Sequence, residues 1–407
     1  MVDYRPLPDE HKRVFFEYTN YAFSPQNGPV EYDSEEHDTP RFNLGSPRGL
    51  YREGVSDEDP LVVCRQYWLE ANIRGETHPV AGLAGVASPP ESRRKGLVRK
   101  LLECSLEEYR DRNRAVSVLW PFQYDFYRKY GWDTANDRMS YDCEPAALAF
   151  ATAAVDDPDF VAVGSDSYGS LDDVYRRHSS EYALTLERDE AWWRHRILSN
   201  HGTDPFVYAL ERDGSISGYL VYTIDGEWES RTMAVQEMAF NDHDAFLSLL
   251  SFCHTHDSQV ETVELPGPVD SKLLDLTPKP EAVDCTVETG PMVRIVDVES
   301  ALSMITYPVA ESSGTTRRLT LSVSDPLVEW NDGCFELEAA KGEATCERTS
   351  GQADAELDIG ALSQLLVGTR SARDFERVGR LRTASEAELE RLEALFPETK
   401  VYLREHF

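Results

Sequence analysis

Val86 to Tyr109 reads VASPPESRRKGLVRKLLECSLEEY. An apolar segment stops at Pro89 and Pro90. Arg93, Arg94, Lys95 and Gly96 follow, and a helical period then begins. From Gly96 onward, Leu97, Val98, Leu101, Leu102, Ser105, Leu106 and Tyr109 share one helical face, while Arg99, Lys100, Glu103, Glu107 and Glu108 lie mostly off it. The order of parts is therefore strand, kink, basic turn, glycine, helix. The first turn of a helix carries N–H groups without intrahelical partners, and its dipole adds partial positive charge. A pyrophosphate can fill that place with Arg93 and Arg94 assisting, and Gly96 lets phosphates approach the backbone. The preceding strand, splayed by a bulge, would expose backbone groups near Val86 and Ser88 to an extended ligand that pairs as a further strand would. A basic surface turn before an ordinary helix is the plainer reading of the same residues.

Outward from this stretch the same alternation continues. HPVAGLAGVAS is a strand, and its interior glycines, Gly82 and Gly85, suggest a bulge or a close backbone approach by another group. LVVCRQYWLEANIRG before it alternates and breaks at a glycine. His11–Phe23 has helical spacing, RAVSVLWPF is a buried strand ended by Pro121, and YDFYRKYGW is a short aromatic helix with a glycine stop. A candidate boundary lies around Glu144 to Asp159, where alanine and aspartate accumulate. A second unit repeats the strand and helix alternation without an RRxGL. A third starts near PMVRIVDVESAL and closes on VYLREHF.

The whole chain has 407 residues, which points to two or three domains. No apolar run approaches the roughly 18 residues of a membrane span, and MVDYRPLPDEHKRV lacks a signal-peptide core, so a cytoplasmic location and no membrane partner are expected. Net charge is −32, which argues against a general nucleic-acid binder. Only 8 of the 41 basic residues are lysine. Acidic surface with few lysines suits a halophilic cytoplasm, where hydrated carboxylates keep a protein soluble. An acidic protein with cationic partners is compatible with the same composition. The seven cysteines are widely spaced with no CxxC pair, as expected of small core residues in a reducing compartment. His254 and His256 flank one threonine without further ligands at metal spacing, so no metal site is expected.

RRKGL after a V-x-S strand resembles the acetyl-CoA motif of the GNAT N-acetyltransferases, R/Q-x-x-G-x-G/A. Arg93 and Gly96 stand at its fixed positions, and Val98 replaces its usual small residue. DFYRKYGW, RDEAWWRHRIL, PMVRIVDVESAL, NDGCFELE, DIGALSQLLVG and the aromatic tail together resemble the Eis-like (enhanced intracellular survival) acetyltransferases, in order and over essentially the whole chain. The resemblance implies an α/β (α+β) protein with two tandem GNAT-like domains and a sterol-carrier-protein-like α/β domain. In this chain those are residues 1–150, the catalytic GNAT domain; 151–287, a second without the cofactor motif; and 288–407, whose tail enters the active site. It further implies acetyl-CoA as cosubstrate, no metal, an amine acceptor and a homo-hexamer. The cofactor site would be Val86, Ser88, Arg93, Arg94, Gly96 and Leu97, with the Val86 N–H as candidate oxyanion contact. A family cofactor contact, a serine, falls on Phe122.

By position in DFYRKYGW, Tyr127 matches the family's general acid. A tyrosine with its ordinary pKa near 10 carries its proton at neutral pH. With Tyr124, Phe126 and Tyr130 nearby, its own surroundings read equally as aromatic core. The family's base is the carboxylate of the last residue, here Phe407. An α-carboxyl ordinarily titrates at about 3.3–3.7 and so accepts a proton at neutral pH. Termini fray by default, but Val401, Leu403 and Phe407 give this tail apolar anchors. His406 stands where the resemblance leads one to expect an acidic side chain. The acidic loop with Asp33, Glu35 and Glu36 could face a cationic amine, such as an aminoglycoside, polyamine, lysine or small metabolite, or could simply be solvated surface. A lipid or sterol carrier and a non-catalytic scaffold are the alternatives, through the third unit.

Overall fold

Two long alternating runs make the centre of the first sheet in the computed structural model, which describes residues 2–54, 59–200, 203–228, 230–309 and 317–407. They are β3 (Val62–Ile73) and β4 (Glu76–Ala87), antiparallel and joined by a tight turn at Arg74 and Gly75. β1 (Val2–Pro6), β2 (Ser46–Arg52), β5 (Val116–Leu119), β6 (Asp133–Thr134) and β14 (Met292–Ile295) complete a sheet of order β1-β2-β3-β4-β5-β14-β6. Among the described residues of this sheet, only β4 and β5 pair in parallel, and the connection between them carries helix α3 (Leu97–Asp111). The other face carries α1 (Lys12–Phe23), whose Phe15 packs with Val63 and Ala87. A four-residue helical turn, α2 (Ser34–His37), and a short α4 (Tyr124–Arg128) lie in the connections.

The face of α3 read from its periodicity is the buried one. Leu101, Leu102, Ser105, Leu106 and Tyr109 are buried, and Leu97 and Val98 flank the same cluster. A polar network beneath it fixes the helix to three strands. Gln66 Nε2 donates to the hydroxyls of Tyr4 and Ser105 at 3.0 Å each, and the Tyr109 hydroxyl donates to Gln66 Oε1. The Tyr4 hydroxyl donates to Glu108 at 3.0 Å, and Arg48 holds the same carboxylate through two hydrogen bonds, at 2.9 and 2.6 Å. Burial opposes the Glu108 charge, but the Arg48 contacts outweigh it and hold the carboxyl below its ordinary pKa.

The chain divides into two compact units. One holds residues up to Asn136 together with Ala183–Leu186 and Pro291–Phe407; the other holds Asp137–Tyr182 and Glu187–Gly290. The second unit has its own sheet, of order β13-β7-β12-β11-β10-β9-β8. Its strands are β7 (Asp137–Cys143), β8 (Asp159–Ala162), β9 (Phe206–Arg212), β10 (Ser215–Asp225), β11 (Thr232–Phe240), β12 (Thr262–Pro268) and β13 (Val283–Thr289). It repeats the first unit's plan, with the parallel pair β11 and β12 joined by the helix His243–His254. A single α turn over Glu190–Trp192 is followed by a π-helical turn over Trp193–Ile197.

Within the first unit, β15 (Arg317–Ser324), β16 (Gly333–Ala340), β17 (Glu343–Thr349), β18 (Ala355–Asp358) and β19 (Leu381–Thr383) form a five-stranded sheet of order β17-β16-β15-β18-β19. Its helix Ile359–Val367 is buried along its whole length. Ser363 Oγ accepts from the Ile295 N–H at 2.8 Å, and Gln364 Nε2 donates to the Thr134 carbonyl at 2.8 Å. Arg294 on β14 meets Asp325 at 2.6 Å with both side chains fully buried. Breaking such a pair costs about 3–5 kcal/mol because one charge is left buried alone. These contacts fasten the C-terminal sheet to the first one and fix where the tail starts.

Candidate functional site

The parallel pairing of β4 with β5 ends at Leu83 opposite Leu119, while β4 runs on to Ala87. The two strands therefore part at their carboxyl ends. A bulge in β4 sits at the opening. Val63 faces Ala87 and Arg65 faces Ala84, so β4 spends three steps where β3 spends two. Gly85 supplies the bulge with a φ of +58°, which a larger residue adopts only with strain. Beyond the bulge Val86 is buried in the core shared with α3, Ser88 is half-buried, and the chain turns at Pro89 and Pro90.

The basic turn that follows is exposed. Arg93 Nε donates to the Ser88 carbonyl at 3.2 Å, and its guanidinium lies 5.1 Å from the centre of the Tyr21 ring. Arg94 has a φ of +55° and Gly96 one of +76°. Among the described residues, Arg93, Arg94 and Lys95 have no acidic partner, although the chain carries a net charge of −32. The N-terminus of α3 has no side-chain cap, and the space where a Gly96 side chain would lie is open. Uncapped N–H groups, unpaired cations and open space together suit an anion such as a pyrophosphate. The equivalent helix in the second unit differs. Asp242 caps it, accepting from the Ala245 N–H at 2.9 Å, and is paired with Arg212. A carboxylate already fills the place that an anion would take.

Tyr127 is buried on the α3 side, in the same core as Cys64, Leu83, Val86 and Leu119. Its ring meets Phe122, Phe126 and Trp132 edge-on. Among the described residues its hydroxyl has no hydrogen-bond partner. Burial, with a smaller contribution from Cys64, pushes its pKa well above the ordinary value near 10. Phe122 is largely exposed at the mouth of this aromatic group.

The tail reaches the opposite face of β4. Val401 bridges to Ala183, the Leu403 N–H donates to Asn136 Oδ1 at 2.9 Å, and Trp120 Nε1 donates to the Glu405 carbonyl at 2.6 Å. The Phe407 ring stands edge-on to Tyr67, centroids 5.3 Å apart, over the backbone of Gly82. Ala81 and Leu83 point into the α3 core, and Gly82 between them faces the other way. Tyr127 thus lies on the α3 face of the sheet, and the Phe407 ring lies on the other face over Gly82, one residue before the β4–β5 pairing ends. Tyr67, Asn136 and Trp120 carried no motif in the sequence; only Gly82 was marked there.

Asp33, Glu35 and Glu36 lie exposed about α2, whose N-terminus Asp33 caps by accepting from the Glu35 N–H at 2.9 Å. His254 and His256 bond the carbonyls of Pro145 and Phe252 at 2.9 Å each. No cluster of His, Cys, Asp or Glu fit for a metal occurs among the described residues, and no described helix is long and apolar enough to cross a membrane. Of the cysteines, Cys64, Cys143, Cys253 and Cys346 are buried, Cys104 and Cys334 half-buried and Cys285 exposed, all unbridged.

Comparison with known proteins agrees with this architecture. Residues 3–135 and 184–295 each match a family described as acetyltransferase (GNAT) domain, and residues 298–404 match a sterol carrier protein domain. An uncharacterized N-acetyltransferase of Streptomyces griseus is 27% identical over 335 residues, covering 76% of this chain and 77% of that protein. N-acetyltransferase Eis of Mycobacterium bovis is 26% identical over 360 residues, covering 85% and 86%. The crystal structure of a GCN5-related N-acetyltransferase from Anabaena variabilis superposes with a TM-score of 0.84 at 22% identity, covering 100% of both chains.

Proposed function

The chain belongs to the GNAT N-acetyltransferases, and on that premise we propose that it transfers the acetyl group of acetyl-CoA to a primary amine, with Tyr127 as general acid and the Phe407 carboxylate as general base. The observation that carries this reading is the seating of the tail, which holds Phe407 against Gly82 beside the opening between β4 and β5. The residues present fit acetyl-CoA. Arg93, Arg94 and the α3 N-terminus at Gly96 and Leu97 would take its pyrophosphate, and the backbone of Val86 and Ser88 would pair with its extended arm. Bound there, acetyl-CoA supplies an acetyl group activated as a thioester.

This chain's own groups then manage charge and protons. The Val86 N–H, beside the bulge, donates to the carbonyl oxygen as it gains charge. The Phe407 carboxylate accepts the proton that the amine loses, directly or through water. The Tyr127 hydroxyl, kept protonated by burial, gives its proton to the departing sulfur. The acceptor is an aminoglycoside-like amine, a polyamine, a lysine or a small metabolite amine. Asp33, Glu35 and Glu36 favour a cation by charge. Assembly as a homo-hexamer, by family resemblance, and a cytoplasmic site of action, from the sequence pattern, complete the reading, without nucleic-acid or membrane partners.

The test is an amine panel in high salt, following free thiol release, on the native chain and on one lengthened by a few residues after Phe407, with intact mass fixing each terminus. The extension turns the carboxylate into a neutral amide. Turnover should fall by roughly 10²–10⁴, with acetyl-CoA binding retained. A soluble extended chain that acetylates at the native rate would overturn the terminal-carboxylate mechanism. The sterol-carrier match favours a second reading, a lipid carrier. Displacement of a fluorescent fatty acid without acetyl-CoA binding would select it.

A further inference from the structure

Trp120 is the first residue beyond β5, at the point where β5 leaves β4. Among the described residues, its hydrogen bond and its ring stacking are both with the tail. Nε1–H donates to the Glu405 carbonyl at 2.6 Å, and the ring stacks on the His406 imidazole with centroids 3.6 Å apart and planes at 21°. Pro121 follows, which confines the Trp120 backbone to extended conformations and limits how far the indole can wander. Neither contact touches a reacting atom. They grip the two residues before Phe407 and so set the direction in which the last residue leaves. Leu403 is tied to Asn136 four residues from the terminus, and the Phe407 ring rests on Tyr67 and Gly82, so the Trp120 contacts act on the segment between these two points.

We infer that Trp120 is a positioning residue for acetyl transfer. It clamps Glu405 and His406 so that the Phe407 carboxylate meets the opening between β4 and β5 in one geometry. This rests on the reading of Phe407 as the base. The indole acts through the tail, and a purely structural tryptophan in the first sheet would not control the exposure of the chain end.

Trp120→Phe keeps an aromatic face for His406 and removes only the N–H donor; Trp120→Ala removes both contacts. In each variant three things are measured: release of Phe407 by carboxypeptidase, kcat on a fixed amine, and acetyl-CoA affinity. Phe407 release should quicken in Trp120→Phe and again in Trp120→Ala. The kcat should fall roughly three- to tenfold in the first, as for one lost hydrogen bond, and roughly 10²-fold in the second. Acetyl-CoA affinity should stay within about twofold. Unchanged release with native kcat in both variants overturns the clamp. So does a loss of kcat matched by an equal loss of acetyl-CoA affinity, which would place Trp120 in the cofactor site. The lengthened chain separates the two levels. If extension leaves turnover intact, the base assignment fails; if extension abolishes turnover while Trp120→Ala changes nothing, only the clamp fails.

Discussion

The ring of Phe407 covers the backbone of Gly82, where an added Cβ would lie 2.9 Å from Phe407 Cε2. The same Cβ would meet Leu69 Cδ1 at 3.0 Å and Tyr67 Cβ at 3.1 Å, so all three neighbours would have to yield. A terminal residue is the one that can leave. Gly82→Ala should therefore lift Phe407 and cost about 1–3 kcal/mol of stability by overpacking. Its kcat should drop about tenfold or more, the scale of a displaced reacting group. Acetyl-CoA affinity, set around Arg93 and Gly96, should change little. Calorimetry and steady-state kinetics check both, and a variant with native kcat would show that the tail does not need this seat.

Arg93 and Arg94 bear on binding alone. Both are exposed cations without acidic partners among the described residues, so removing them leaves no buried charge behind. Replacing both with alanine should leave the melting temperature nearly unchanged and weaken acetyl-CoA at least tenfold, since each charge-assisted contact contributes about 1.5–3 kcal/mol. Titration calorimetry decides it; unchanged affinity would move the pyrophosphate elsewhere.

Tyr127 makes a statement about pH. Burial raises its pKa above the ordinary value near 10, so the folded protein holds this proton more tightly than the unfolded chain does. The sign follows: the phenol stays protonated up to pH 10, and any stability it adds is lost only as pH rises beyond that. Between pH 7 and 10, kcat/KM should rise as the amine loses its proton and should show no descending limb from Tyr127. Tyr127→Phe should lower kcat across the whole range with acetyl-CoA affinity retained. A descending limb near pH 8–9 that disappears in Tyr127→Phe would overturn the raised pKa while leaving Tyr127 as the acid, whereas native kcat in Tyr127→Phe would overturn the acid assignment itself.

Much of this was legible locally. The α3 face from Leu101 to Tyr109 followed from helical period, and the hairpin of β3 and β4 from alternation around Arg74 and Gly75. Gly82 and Gly85 were each marked for a bulge or a close approach; Gly85 is the bulge and Gly82 the close approach. What stayed hidden depends on distant partners. Met292–Ile295 reads as the opening of the third unit, yet it lies between β5 and β6 in the first sheet, because three apolar residues and an arginine carry no mark of which strands they pair with. Trp120 reads only as a strand end, since its contacts are with residues 285 positions along the chain. The carboxylate cap at Asp242 shows in physical terms why a repeated fold need not repeat its anion site.

Salt separates the surface from the joints. The net charge of −32 makes the surface self-repelling in dilute buffer, and at 1 M salt the screening length is only about 3 Å. The Arg294–Asp325 pair that fastens the C-terminal sheet to β14 is fully buried, so salt reaches it poorly. Salt should thus relieve the repulsion without loosening the joint that places the tail. The melting temperature should climb by about 5 °C or more from dilute buffer to molar potassium chloride. Turnover per folded molecule should hold over the same range, because Asn136, Trp120 and Gly82 seat the tail through a neutral hydrogen bond, stacking and van der Waals contact. A flat or falling melting temperature would count against a surface adapted to high salt. Kinetics that collapse in molar salt while the fold persists would show that the tail is held by charges instead.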